Sequence, residues 1–182
     1  MAEKYLDKIS HEKDINYSIL RFFNVAGADL NLRSGHISKK ATHLIKIACE
    51  VAVNKRKSLT IFGDDYSTID GTAIRDYIHV SDIADIHLES LNYILNNNKS
   101  ETFNCGYGKG FSVKQVVKAL NDLLDKPINV NIGPRRDGDV ESLIADITKI
   151  RNIISWKPKY SNLSEILSSA LAWEKNISKL KQ

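Results

Sequence analysis

The stretch Tyr17-Ser-Ile-Leu-Arg-Phe-Phe23 is an almost unbroken apolar run, closed by Asn24-Val-Ala-Gly27. Strands with one wet face alternate apolar and polar residues. A continuous run reads instead as a buried strand of a parallel sheet covered on both faces. Upstream of it, Ala2, Leu6 and Ile9 recur at helical spacing, so residues 1–12 read as an amphipathic helix. That helix opens at the first residue without a capping side chain and looks like the end of a longer one. A helix feeding a buried strand is the grammar of a mixed α/β chain.

Downstream, a polar loop runs to Lys40, and Ala41, Leu44, Ile45, Ala48 and Ala52 then mark a second amphipathic helix. Leu59-Thr-Ile-Phe62 reads as a short strand, with turn signals at Gly63-Asp-Asp and Asp70-Gly71. Ser81 suits an N-cap, with Asp82 and Asp85 near the positive end of the helix dipole. Val80, Ile83, Ala84, Leu88, Leu91 and Leu95 are its expected apolar face. Thr102–Cys105 is a strand, and Ser112 with Gln115 forms a capping box for the next helix. Ile128–Ile132 alternates as a strand with one wet face, a short helix covers about 146–154, and a last helix starts near Asn162. Short strands between helices define an α/β fold without internal repeats.

The length of 182 residues and the 42% hydrophobic, 26% charged composition fit one globular unit with a real core. A formal charge of +4, spread along the chain, does not imply nucleic acid and suits a few arginines meeting a small anionic ligand. Cys49 and Cys105 have no metal-ligand spacing and read as buried free thiols, which fits a cytoplasmic location. The charged N-terminus does not resemble a signal peptide, and no stretch approaches the ~20 apolar residues of a membrane span. The five His residues lack the helical pairing of a zinc site. Gly106-x-Gly-x-Gly110 lacks the spacing of a dinucleotide fingerprint and reads as a tight strand-to-helix turn.

The residues most suggestive of chemistry are Arg75 in Ile74-Arg-Asp-Tyr-Ile-His79 and the pair Arg135-Arg136, each placed to aim a guanidinium into a cleft. Guanidinium forks bind phosphate oxygens in pairs, so arginines from two distant segments make a diphosphate clamp. Taken alone, Pro134-Arg-Arg-Asp-Gly-Asp139 is more often a solvated turn, and Arg75-Asp76 a surface ion pair of little value.

Further motifs bear on this choice. Leu20-Arg-Phe-Phe-Asn-Val-Ala-Gly-Ala28, Ser58-Leu-Thr-Ile-Phe-Gly-Asp-Asp-Tyr66, Asp70-Gly-Thr72, Ile74-Arg-Asp-Tyr-Ile-His-Val80, Phe103-Asn-Cys-Gly-Tyr-Gly108 and Pro134–Asp139 follow in one order. In order and spacing they resemble the UDP-glucose 4-epimerases, NAD-dependent enzymes of the extended short-chain dehydrogenase superfamily. The resemblance spans nearly the whole chain. It implies the C-terminal part of an extended Rossmann-type fold. Residues 1–30 would be a remnant of the dinucleotide-binding domain, and residues 31–182 the UDP-sugar-binding domain with interleaved returning segments.

The resemblance also assigns roles. Asn24 would donate to the diphosphate of a UDP-hexose, and Phe23 would pack near the nicotinamide. His43 and Leu44 open a helix against the sugar nucleotide, and Phe62 lines the uracil slot. Arg75 and Arg136 form the diphosphate clamp with Tyr77 beside it, Asp139 accepts the ribose hydroxyls, and Leu143 gates room for an N-acetyl group. The family's Tyr-x-x-x-Lys pair would fall just upstream of Met1, and its glycine-rich loop roughly 150 residues upstream, one domain's worth. The expectation is therefore a truncated epimerase that does not bind NAD or turn over alone. It would need a chain carrying the N-terminal half, and homodimerisation would be disfavoured. A non-catalytic UDP-sugar-binding remnant is the alternative. Asp70-Gly-Thr72 and Ile61-Phe-Gly-Asp-Asp-Tyr66 argue against a related dehydratase or decarboxylase.

Overall fold

The computed structural model describes residues 1–38 and 40–179. Its helices are α1 (Ala2–Lys13), α2 (Leu44–Ala52), α3 (Val80–Asn97), α4 (Val113–Asn121), α5 (Thr148–Ile153) and α6 (Leu163–Lys179). Its strands are β1 (Ser18–Phe22), β2 (Asn24–Ala26), β3 (Leu59–Phe62), β4 (Ile74–His79), β5 (Glu101–Cys105), β6 (Gly110–Ser112), β7 (Val130–Gly133) and β8 (Ser142–Leu143). The chain is mixed α/β, as its sequence pattern predicts.

The apolar run 17–23 forms β1 and then breaks at Phe23 before β2. β1 pairs in parallel with β5, Ser18 opposite Glu101 through Phe22 opposite Cys105. Its burial is less than the sequence predicts, because Arg21 and Phe22 are exposed and, among the described residues, β5 is its only strand partner. The two neighbouring helices lie on opposite faces of β1. The Ser18 hydroxyl meets Ser90 of α3, and Arg21 makes a paired contact with Glu3 of α1. α1 buries no residue; besides the Glu3 contact it takes a hydrogen bond from Tyr17 to Asp7 at 2.9 Å.

β4 organises the functional half of the molecule. Its C-terminal end pairs in parallel with β2, setting Asn24 opposite Tyr77. Its N-terminal end runs antiparallel to β6 and parallel to β8, which places Leu143 opposite Arg75. β3 and β7 form a separate parallel pair. Val130 and Ile132 of β7 are both exposed, so the expected single wet face of this strand is not found; among the described residues it pairs only with β3, along one edge, and edge pairing covers neither face.

The core gathers Ile45, Ala48, Tyr77, Ile78, Ile86, Phe103, Val116, Leu120, Ile150, Ile166 and Leu167 between the sheets and α2, α3, α4 and α6. Burying each large side chain contributes about 1.5–3 kcal/mol. The Ser112–Gln115 capping box forms as expected and starts α4. Within the core lies an ionic cluster. Glu174, 1% exposed, binds Lys46 and Lys55, while Glu50 accepts from Arg56 at 2.5 Å. Burial alone would raise the Glu174 pKa, but hydrogen bonds from the two lysines outweigh it and the carboxyl sits below its ordinary value.

α3 departs twice from the sequence reading. Its N-cap is His79, whose Nδ1 accepts from the Ser81 N–H at 3.1 Å, rather than Ser81 itself. The helix buries Asp82, Ile83, Ile86 and Ser90 and leaves Leu88, Leu91 and Leu95 exposed. Asp82 explains the rotation. Its carboxylate accepts from the Lys159 and Tyr160 amides at 2.9 and 3.0 Å and from the Tyr107 hydroxyl, and so draws a polar face inward.

Candidate functional site

A cavity of about 290 Å³ opens between β3, β4 and the N-terminus of α2. Asn24, His43, Leu44, Phe62, Arg75, Tyr77, Arg136 and Asp139 all line it, although they come from segments more than a hundred residues apart in the chain. Strand alternation explains part of this convergence: Arg75 and Tyr77 are two apart on β4 and share one face, and β2 brings Asn24 beside Tyr77. Thr60 and Phe62 share a face of β3 by the same rule.

The charged end of the cavity is built around Asp139. Its carboxylate accepts from Arg136 Nε at 2.9 Å and lies 3.5 Å from Arg75 Nη2. Arg75 is anchored further by donating from Nη1 to its neighbour's carbonyl, Ile74 O, at 2.8 Å. Two guanidinium groups about one carboxylate leave a positive excess, suited to an anion. Gly138 permits this turn, because its φ of +80° belongs to the left-handed region that side chains avoid. The Arg136 guanidinium also lies 4.8 Å from the centre of the Phe62 ring, which is 40% exposed. Of the paired arginines only Arg136 faces the cavity. Arg135 turns away to Asp65 at 2.7 Å and lies over the Tyr66 ring.

The opposite wall is the start of α2, where Thr42, His43 and Leu44 line the cavity. His43 caps the helix with its backbone only, so the first amides receive no side-chain acceptor and the positive end of the helix dipole faces the cavity. Its Nε2 is buried without a hydrogen-bond partner. Burial, aided by nearby His36, holds its pKa below the ordinary histidine value, so the ring is neutral at pH 7. Tyr77 is buried too, and burial raises its pKa, which leaves the phenol protonated.

Two other sequence candidates lie elsewhere. Phe23 sits at the junction of β1 and β2, where its N–H donates to Cys105 O at 3.3 Å and its ring packs on the core. Leu143 lies on β8 beside Arg75, half exposed and outside the cavity lining. Thr42, Thr60 and Val113 line the cavity without having been singled out from sequence. For Thr60, the two-residue spacing from Phe62 on one strand face was the available signal.

A second cavity, about 400 Å³, lies on the other side of His43, against Gly27, Gly35, Cys49 and Trp173. Its charged groups, Lys46 and Glu174, are already bound to each other. Among the described residues no cluster of His, Cys, Asp or Glu could hold a metal ion, and no helix is long and apolar enough to cross a membrane. The turn Gly106–Gly110 does not fit a dinucleotide pyrophosphate, because the amides of Tyr107 and Gly108 already donate to Asp76.

With the α/β fold and this cavity described, residues 1–106 match the model of the NAD dependent epimerase/dehydratase family. The chain belongs to that family. More particularly, it is 44% identical over 177 residues to the UDP-glucose 4-epimerase of Azospirillum brasilense, a match covering 97% of this chain and 51% of the relative. The UDP-Glc/GlcNAc 4-epimerase of Campylobacter jejuni is 50% identical, with a TM-score of 0.80 over 97% of this chain and 54% of that one. The UDP-glucose-4-epimerase of Stenotrophomonas maltophila, solved with NAD and formylated UDP-arabinopyranose, superposes with a TM-score of 0.94 at 30% identity, covering 98% and 54%. The chain thus spans about half the length of the curated relatives it matches.

Proposed function

We propose that this chain is the UDP-hexose-holding part of a UDP-glucose 4-epimerase that interconverts UDP-glucose and UDP-galactose. The observation that carries this reading is the convergence of Arg75, Arg136, Asp139, Phe62, Asn24 and the start of α2 on one cavity. Each group has a task there. Arg75, Arg136 and the α2 N-terminus neutralise the diphosphate, with the Asn24 amide as a further donor. Phe62 offers an aromatic face for uracil, and Asp139 is a two-oxygen acceptor for the ribose hydroxyls. Leu143, on β8, would bound the hexose end of the site.

Epimerisation at the hexose C4 needs a hydride acceptor and a base. NAD supplies the redox chemistry when bound. Neither it nor a Tyr-x-x-x-Lys pair is provided for by the residues lining this cavity, so in this reading both belong with polypeptide outside these 182 residues. Residues 1–30, with α1 and β1, are assigned to the dinucleotide-binding part, and residues 31–182, with interleaved returning segments, to the sugar-nucleotide part. The open edge of β1 and the exposed Leu88, Leu91 and Leu95 suit an α/β partner bearing the cofactor.

Isothermal titration calorimetry tests the binding reading directly. UDP and UDP-glucose should bind with equal stoichiometry, and Arg136→Ala should weaken both by roughly ten- to hundredfold, as loss of a charge-assisted contact of ~1.5–3 kcal/mol requires. Heat from UDP that is unchanged by Arg136→Ala, or no heat with the unmodified chain, would refute it.

A further inference from the structure

Asp76 stands between two cavity residues, Arg75 and Tyr77, yet strand alternation turns it to the opposite face of β4. It is completely buried and makes no ion pair with Arg75. Its carboxylate instead accepts backbone N–H groups from two separate segments. Tyr107 donates at 3.0 Å to Oδ1, Gly108 at 2.9 Å to Oδ2, and Ala145 at 3.3 Å to Oδ2. A buried carboxylate is tolerated where it is hydrogen-bonded in this way, and consecutive amides in a glycine-rich turn form a concave anion cradle. The turn Gly106–Gly108 is thus a nest filled by the protein's own side chain.

A second observation agrees. A Cβ placed on Gly106 would come within 2.6 Å of both Asp76 Oδ2 and the Ala145 Cβ, so glycine there is required by the packing of these three residues. The donor Ala145 lies just beyond β8 and six residues after Asp139. The intervening segment is otherwise weakly held: β8 pairs with β4 over Ser142 and Leu143 only, supported by the Ile74 N–H donating to Glu141 O at 2.8 Å.

We infer that Asp76 is a positioning residue for the nucleotide-sugar cavity: from the back of β4 it holds the segment Asp139–Ala145, so that Asp139 and Leu143 keep a fixed place beside Arg75. This deepens the uridine diphosphate reading and rests on it. Asp76 touches no ligand. It acts by linking the glycine turn to the wall of the site through one carboxylate.

The test combines amide hydrogen exchange with calorimetry. In the unmodified chain the Ala145 amide should exchange as slowly as the β4 amides, although Ser142 to Ile144 beside it are exposed. Asp76→Asn keeps the shape but sets an NH₂ against one of the donors. It should speed exchange at Ala145 and weaken UDP by about tenfold, the equivalent of one lost hydrogen bond to a charged group. Affinity measured well below the melting temperature separates the roles, since a merely structural residue would lower the melt and leave binding by the folded protein unmoved. Rapid exchange at Ala145 in the unmodified chain, or a folded Asp76→Asn protein that binds UDP as before, overturns the inference. Failure of the unmodified chain to bind UDP would instead remove the function reading, and the exchange data would still judge the clamp.

Discussion

Arg136 places its guanidinium 4.8 Å from the centroid of the Phe62 ring while its Nε and Nη2 bind Asp139. A flat cation thus rests on the aromatic face assigned to a flat base. In the proposed reading, uracil stacked on that face would displace Arg136 toward the diphosphate and so free Asp139 for the ribose.

Phe62→Ala removes the stacking surface. UDP affinity should fall about ten- to hundredfold, because aromatic–base stacking contributes ~1–3 kcal/mol. Stability should change little, since the ring is already 40% exposed. Calorimetry paired with thermal melts checks both, and a large loss of stability at unchanged affinity would contradict the assignment.

His79 gives the fold a pH dependence of definite sign. Its Nδ1 accepts from Ser81 N–H, so Nε2 carries the proton and donates to Ser169 Oγ at 3.0 Å. Protonating Nδ1 would set donor against donor in a fully buried site. Burial accordingly lowers its pKa, even though Asp82 and Glu165 pull the other way. Stability from this group is fully present above the unfolded value of about 6.5 and is lost as pH falls through the lower folded value. His43, shifted in the same direction, adds to the slope. Urea titrations from pH 7.5 to about pH 5 should show this loss, and His79→Gln should flatten it.

Glu174→Ala should destabilise the chain by about 3–5 kcal/mol, because it leaves Lys46 buried with one fewer counter-charge. Glu174→Gln, which keeps a hydrogen-bonding shape, should cost less. Urea midpoints rank the two.

Leu91→Lys, on the exposed stripe of α3, should leave the melting temperature almost unchanged, within the ~0.5 kcal/mol typical of surface changes. It should also reduce self-association measured by light scattering at high protein concentration. Equal scattering by both proteins would argue that this stripe is not adhesive.

Much of this architecture was legible in the sequence because the cavity residues sit inside contiguous motifs whose strand alternation aims them together. Asn24, Arg75, Tyr77 and Arg136 needed only their motifs to be recognised. His79 as a helix cap was not legible, since an imidazole is outside the usual capping set and its partner Ser81 looked the better candidate. The buried face of α3 departs from its apolar spacing because Asp82 is drawn inward by backbone donors at Lys159 and Tyr160, far along the chain, and no local periodicity encodes that pull. β6 and β8 are too short to show a period, and they exist because β4 offers them an edge.

The cavity wall begins at Asn24 and ends at Asp139, with contributions in between from the start of α2, β3, β4 and α4. No local segment can therefore assemble it before the whole body has formed. On the proposed function, occupancy and cooperative folding become a single equilibrium: UDP at a hundred times its Kd would add ~2.7 kcal/mol to unfolding. A nucleotide-dependent rise in melting temperature is thus a direct gauge of whether these distant stretches of chain have come together.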